Sequence, residues 1–103
     1  MRDKFLFLLS ISRKAGKTVH GKDNLSKAFN SRKLHLVIGA ADAEKDSQKT
    51  IIKYENHPGA LKTKYTKQEL GAAIGFTQSA VIGISDAGLA KEMRKIINPE
   101  DNG

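Results

Sequence analysis

Gly16-Lys17-Thr18-Val19-His20-Gly21-Lys22 supplies seven of the eight positions of the phosphate-binding loop G-x-x-x-x-G-K-[ST]. In such a loop the backbone N–H groups and the lysine cradle nucleotide phosphates, and the final hydroxyl ligates Mg²⁺. Here the final position is Asp23. A carboxylate at that point repels phosphate. The loop also needs a strand before it, whereas the residues before Gly16 carry a helical pattern. Thr18-Val19-His20 reads as extended, too regular for a cradle. The two glycines therefore read as turn residues.

Other catalytic arrangements are absent. His20, His35 and His57 fall in different elements without metal-ligand spacing, although His20 and His35 could meet across strands. No serine lies in a G-x-S-x-G elbow, and there is no cysteine for a thiolate nucleophile or a disulfide. Asp42, Glu44 and Asp46 form a small acidic group that reads as caps and solvated charge. No enzymatic activity, metal, cofactor or small-molecule substrate is expected.

The same stretch suits a nucleic acid better. In Arg13–Phe29, five of seventeen residues are Lys or Arg. A helix opening after Gly21 offers unpaired N–H groups and a positive dipole end to a phosphate. Lys17, Lys22 and Lys27 surround that point, with Arg13 and Lys14 just before it. Asp23 and Asn24 can meet base edges, so that phosphate contacts supply affinity and these polar groups specificity. Phe29 falls on the inward face of this helix, which leaves the cluster without an aromatic stacking platform. A structured RNA held by backbone contacts and a few base edges fits better than a single strand.

Charge placement points the same way. Residues 1–35 hold nine Lys/Arg against two acids, and residues 36–103 hold nine of each, so the whole net charge of +7 lies in the first third. A concentrated excess makes a local field that attracts a polyanion. A protein-interaction module docking an acidic partner through the same face is the rival reading. Glycines break the basic run, which argues against a membrane-surface helix. No apolar stretch reaches the roughly 18 residues of a membrane span. A cytoplasmic monomer is expected.

The elements that must position this cluster follow from periodicity. Residues 3–15 read as a helix with Phe5, Leu8, Leu9 and Ser12 on one face, widened by Leu6, Phe7 and Ile11. Thr18–His20 is a short strand, and residues 22–33 are a helix with Leu25, Ala28 and Phe29 inward. Leu34–Ala40 reads as a buried central strand. A third helix over Ser47–Asn56 places Ile51 and Ile52 inside. Leu61–Tyr65 alternates, as an exposed edge strand does. Thr66 and Glu69 form a capping box for a fourth helix ending at Gly75. Ala80–Ile84 is a second buried strand, and Asp86 caps a last helix bearing Leu89, Met93, Ile96 and Ile97. The alternation predicts one α/β domain over residues 1–98, a three-layer α/β/α sandwich with a four-stranded mixed sheet and about five helices, followed by a polar tail at 99–103.

"LLSISRKAGKTVHGKDNLSKAF", "LVIGAADA", "KQELGAAIG" and "AVIGISD" together resemble the kink-turn-binding ribosomal-protein superfamily of the seven-Ae type, most of all its small bacterial YlxQ-like members. The resemblance covers about residues 4–97. It implies the same α/β/α fold and binding of structured RNA, kink-turn-like or ribosomal, without catalysis. The family's G-x-N-E-x-x-K falls on Gly21, Lys22, Asp23, Asn24 and Lys27, so Asp and Asn stand where the family has Asn and Glu. The second family contact falls on Phe76-Thr77-Gln78-Ser79. With the basic cluster read above, the expected RNA-binding residues are Arg13, Lys14, Lys17, Gly21, Lys22, Asp23, Asn24, Lys27, Phe76, Thr77 and Gln78.

Overall fold

The computed structural model describes residues 3–98; the polar tail at 99–103 lies outside the described residues. Helix α1, Lys4–Lys14, starts at Asp3, whose carboxylate accepts the Leu6 N–H at 3.0 Å. That bond satisfies one of the orphan donors of the first turn. Strand β1 (Thr18–His20), helix α2 (Lys22–Asn30) and strand β2 (Leu36–Gly39) follow. Helix α3 (Lys45–Lys53) runs into a wide turn over Glu55–Gly59, closed by the Gly59 N–H on the Tyr54 carbonyl at 3.0 Å. Strand β3 (Ala60–Lys62), helix α4 (Lys67–Ala73), strand β4 (Val81–Ile84) and helix α5 (Ala87–Ile97) complete the order.

The four strands make one mixed sheet in the order β1-β4-β2-β3. β4 runs antiparallel to both β1 and β2, and β3 is parallel to β2. β2, with all four residues buried, is interior, and β3 is an edge, as its lysines predict. Side chains alternate across the pleat. Leu36, Ile38, Ile82 and Ile84 face one core with Phe5, Leu9, Leu70, Ala90 and Met93 from α1, α4 and α5, and with Ile74 just after α4. Val37 faces the other, with Leu25 of α2 and Tyr54 after α3. Helices on both faces give the expected sandwich.

Four details differ from the sequence pattern. Ile52 is 55% exposed while its neighbour Ile51 is buried. Adjacent helical residues point about 100° apart, so one narrow stripe cannot take both. Ile51 wins because Gly39 leaves room: a Cβ there would lie 2.3 Å from its Cδ1. Phe7 is 48% exposed, so the buried face of α1 is narrower than its composition suggests. β3 ends at Lys62, although Thr63 and Tyr65 stay buried beyond it. The helices α2, α3 and α4 stop at Asn30, Lys53 and Ala73, short of residues 33, 56 and 75.

Two expected caps form as read. Thr66 Oγ1 accepts the Glu69 N–H at 3.1 Å while Glu69 Oε1 accepts the Thr66 N–H at 2.9 Å. Asp86 Oδ1 accepts the Leu89 N–H at 2.8 Å. The acidic group is also accounted for. Asp42 accepts the Lys67 N–H at 2.8 Å, and Glu44 pairs with the Lys67 ammonium at 3.1 Å. Among the described residues no cluster of His, Asp and Glu could hold a metal ion, and no helix is long and apolar enough to cross a membrane.

Candidate nucleic-acid interface

α1 ends on Arg13 and Lys14, both exposed and both in its last turn, where the carbonyl end of a helix favours cations. The chain then reverses at Gly16 and enters β1. The Lys17 backbone is held on both sides: its N–H donates to the Ser12 carbonyl and its carbonyl accepts the Ser85 N–H, each at 2.8 Å. Its side chain is left exposed. β1 therefore occupies the middle of the glycine-flanked segment, which removes the phosphate-loop geometry that its spacing resembles.

β1 turns into α2 at Gly21, with φ +96°. Side chains rarely take that conformation, so a glycine sits there for a backbone reason. The first intrahelical bond of α2 is the Leu25 N–H to the Gly21 carbonyl at 2.9 Å, and no side chain caps the end. The N–H groups of Lys22, Asp23 and Asn24 thus point out of the helix toward any anion placed there. Leu25 anchors this end on the sheet, over Gly83, where a Cβ would lie 2.6 Å from its Cδ2. Lys22, Asp23, Asn24 and Lys27 are all exposed. Lys27 follows Asp23 by four residues and Asn24 by three, and so shares a face with both. Asn24 Nδ2 donates to the His20 carbonyl at 2.8 Å, which commits one of its amide hydrogens to the strand–helix junction and leaves its oxygen without a hydrogen-bond partner among the described residues.

The second segment is set by Gly71. A Cβ at this position would lie 2.6 Å from the Gln78 Cα, so the loop after α4 can lie against the helix only because that atom is missing. Phe76 donates its N–H to the Gly71 carbonyl at 2.8 Å, and Ser79 donates to the Lys67 carbonyl at 2.9 Å. Thr77 and Gln78 are exposed at the loop tip.

The pinned loop brings Phe76 to β1. Its ring stacks on His20, with centroids 4.3 Å apart and planes 26° apart. The Arg13 guanidinium lies 5.3 Å from the same ring. Arg13, Thr18, Val19, His20, Asn24 and Phe76 line a hollow of about 510 Å³. A smaller hollow of about 170 Å³ lies beside it, reached by His20, Gly21 and Lys22. Of the predicted residues, Arg13, Gly21, Lys22, Asn24 and Phe76 line these two hollows. Lys14, Lys17, Asp23, Lys27, Thr77 and Gln78 do not. The expectation of a cluster without an aromatic platform is wrong in three dimensions: Phe76 reaches it from the far side of the chain. His20, not among the predicted residues, lines both hollows. Its position one before the turn glycine is the sequence signal that could have found it. It does not meet His35, because β4 lies between β1 and β2 and the two histidines are at opposite ends of it.

Residues 3–94 match the model of the ribosomal protein L7Ae/L30e/S12e/Gadd45 family. The chain belongs to that family. It is 27% identical over 95 residues to the RNA-binding protein YlxQ of Bacillus subtilis, a match covering 88% of this chain and 92% of that one. A protein of unknown function from Bacillus halodurans C superposes with a TM-score of 0.81 at 30% identity, over 92% of this chain and 97% of the other. The Giardia lamblia 15.5kD RNA binding protein shares the fold with a TM-score of 0.67 at 21% identity, over 96% and 92%.

Proposed function

We propose that this protein binds structured RNA, without catalysing a reaction, through the surface made by the end of α1, the start of α2 and the loop after α4. One observation carries the reading. Arg13, His20, Asn24 and Phe76, drawn from α1, β1, α2 and the loop after α4, line one hollow beside the open N-terminus of α2. Membership of a ribosomal-protein family and the name of the B. subtilis relative support it.

Arg13, Lys14, Lys17, Lys22 and Lys27 are assigned to phosphates. None is in an ion pair among the described residues, so contacting RNA breaks no existing bridge. The Gly21 backbone permits close approach. Asp23 and Asn24 face base edges, Asp23 as an acceptor only and Asn24 chiefly through its oxygen. Phe76, held with His20 and Arg13, Thr77 and Gln78 contact a nucleotide outside the helix. The RNA is a kink-turn-like or ribosomal element, and the protein works in the cytoplasm as a monomer, bound to RNA or to the ribosome.

Titration of a kink-turn hairpin and a plain duplex at two salt concentrations tests this. Replacing Lys22 and Lys27 by Ala should weaken binding and lower the salt slope by about one unit or slightly less for each phosphate left without its lysine. Unchanged affinity in that double variant sinks the assignment. A pulldown after nuclease treatment separates the rival: acidic proteins retained on the protein would favour a protein-docking face.

A further inference from the structure

The basic first third contains two cations that the RNA face does not use, Arg32 and Lys33, beyond the far end of α2. Nine helical residues span about 13 Å, so these charges lie well away from Gly21. Arg32 lies beside a hollow of about 610 Å³ at the end of the sheet where β2 begins and β4 finishes. The start of α2 sits at the opposite end, where β1 finishes and β4 begins.

Arg32, His35, His57 and Arg94 line this hollow together with the apolar Phe29, Leu34 and Pro58, and among the described residues no acid lines it. Arg94 is set in place by two bonds from its Nη2, to the His35 carbonyl at 2.6 Å and the Pro58 carbonyl at 3.0 Å. Its Nε and Nη1 hydrogens make no hydrogen bond within the described residues. His57 is fixed edge-on against Phe29, with centroids 5.7 Å apart. Arg32 has φ +59°, the one non-glycine residue in the left-handed region among those described. It stands at the close of α2, where its N–H donates to the Phe29 carbonyl at 3.1 Å, a place usually taken by glycine. Its side chain is exposed and makes no hydrogen bond or ion pair within the described residues. The backbone bonds of Arg32 and Lys33, the latter to the Ala28 carbonyl at 2.8 Å, account for the left-handed turn, so the arginine side chain itself is left free.

We propose that this hollow is a second phosphate-binding site, with Arg32 and the pre-placed Arg94 as its cationic groups and His57 beside them. The ligand chemistry is a phosphate ester carried on a flat base that the apolar residues can cover. Its source is either a nucleotide of the RNA already bound at the start of α2, which rests on the reading above, or a free mononucleotide, which does not.

Backbone amide shifts would be followed by NMR while inorganic phosphate, AMP and an RNA hairpin are titrated separately into the wild type and into Arg32→Gly. Glycine suits φ +59°, so this variant should melt no lower than the wild type. It should nonetheless bind its ligand about tenfold more weakly, as expected when one charge-assisted hydrogen bond is removed. Shifts at residues 29–35 and 57–59 with AMP identify a free nucleotide. The same shifts with the hairpin alone, and a lower salt slope in Arg32→Gly, identify the bound RNA. If none of the three ligands moves these amides, or if Arg32→Gly binds all of them as tightly as the wild type, the hollow is not a phosphate site. Lys22→Ala with Lys27→Ala separates the two readings, since it should weaken binding of the hairpin while AMP still shifts residues 29–35.

Discussion

His20 and Asp3 show how much one side chain can be asked to do. The His20 ring lies on Phe76 and its carbonyl holds Asn24, so it joins β1, α2 and the loop after α4. Alanine keeps the carbonyl and removes the ring. His20→Ala should lower RNA affinity by about 0.5–1.5 kcal/mol, the range for the lost ring-on-ring contact that positions Phe76, with little change in melting temperature because His20 is only half-buried. Binding isotherms and a melt of the same variant check it, and an unchanged Kd removes His20 from the interface. Asp3 acts on the fold instead. Burial works to raise its pKa, but the Leu6 N–H, the Tyr65 hydroxyl, the Phe5 N–H and nearby Lys64 outweigh it and hold the carboxyl below its ordinary value of 3.8. Tyr65 donates to both carboxylate oxygens, at 2.8 and 2.7 Å. A depressed carboxyl pKa adds stability that is complete above 3.8 and fades as pH falls through the lower folded value. Asp3→Ala should cost about 1–2 kcal/mol near neutral pH through the missing cap, and its stability should decline less steeply than the wild type's below pH 3.8. Urea melts across that range test both parts.

At the scale of the element, glycine contacts decide where the loops go. Gly→Ala in an exposed helix gains up to about 1 kcal/mol of helix propensity. At Gly71 the new methyl would meet the Gln78 backbone at 2.6 Å, and overpacking of that kind costs about 1–3 kcal/mol. The clash wins. Gly71→Ala should melt lower and bind RNA more weakly, because the loop carrying Phe76 must move. A rise in melting temperature would mean that the loop is not packed there. What was legible in the sequence follows from the same distinction. The T-x-x-E box, the Asp86 cap, the four strands and the inward face of α2 are local patterns, and each forms. The hollow made by Arg13, His20 and Phe76 depends on residues more than fifty positions apart, on a sheet order that puts β4 next to β1, and on a glycine that draws the loop inward. No local period encodes that. Ile52 and Phe7 point outward for a related reason: composition counts apolar residues, but a helix face has room for only some of them.

For the molecule as a whole, the question is whether association follows total charge or its placement. All of the +7 resides in the first third of a chain folded into a particle about 33 × 33 × 25 Å. The screening length at physiological salt is about 8 Å, so charges across such a body act nearly independently on a bound anion. Two double variants that each remove two positive charges separate the possibilities. Lys22→Gln with Lys27→Gln alters the start of α2. Lys62→Gln with Lys91→Gln alters the exposed edge strand and the exposed side of α5. Both leave the same net charge, and glutamine keeps much of each side chain's length. If placement governs, the first pair should lower affinity at physiological salt by about tenfold or more and flatten the salt slope, while the second changes either by less than about twofold. Equal effects would mean that a diffuse cloud of charge holds the RNA. The same assay can ask about the RNA's shape. Asp23→Asn with Asn24→Glu restores the family's usual pair and leaves net charge unchanged, since one carboxylate is removed and one added. A kink-turn hairpin should then gain affinity relative to a plain duplex. If the ratio between the two RNAs does not move, these positions do not read the kink-turn, and the wild-type pair is suited to a different fold of RNA.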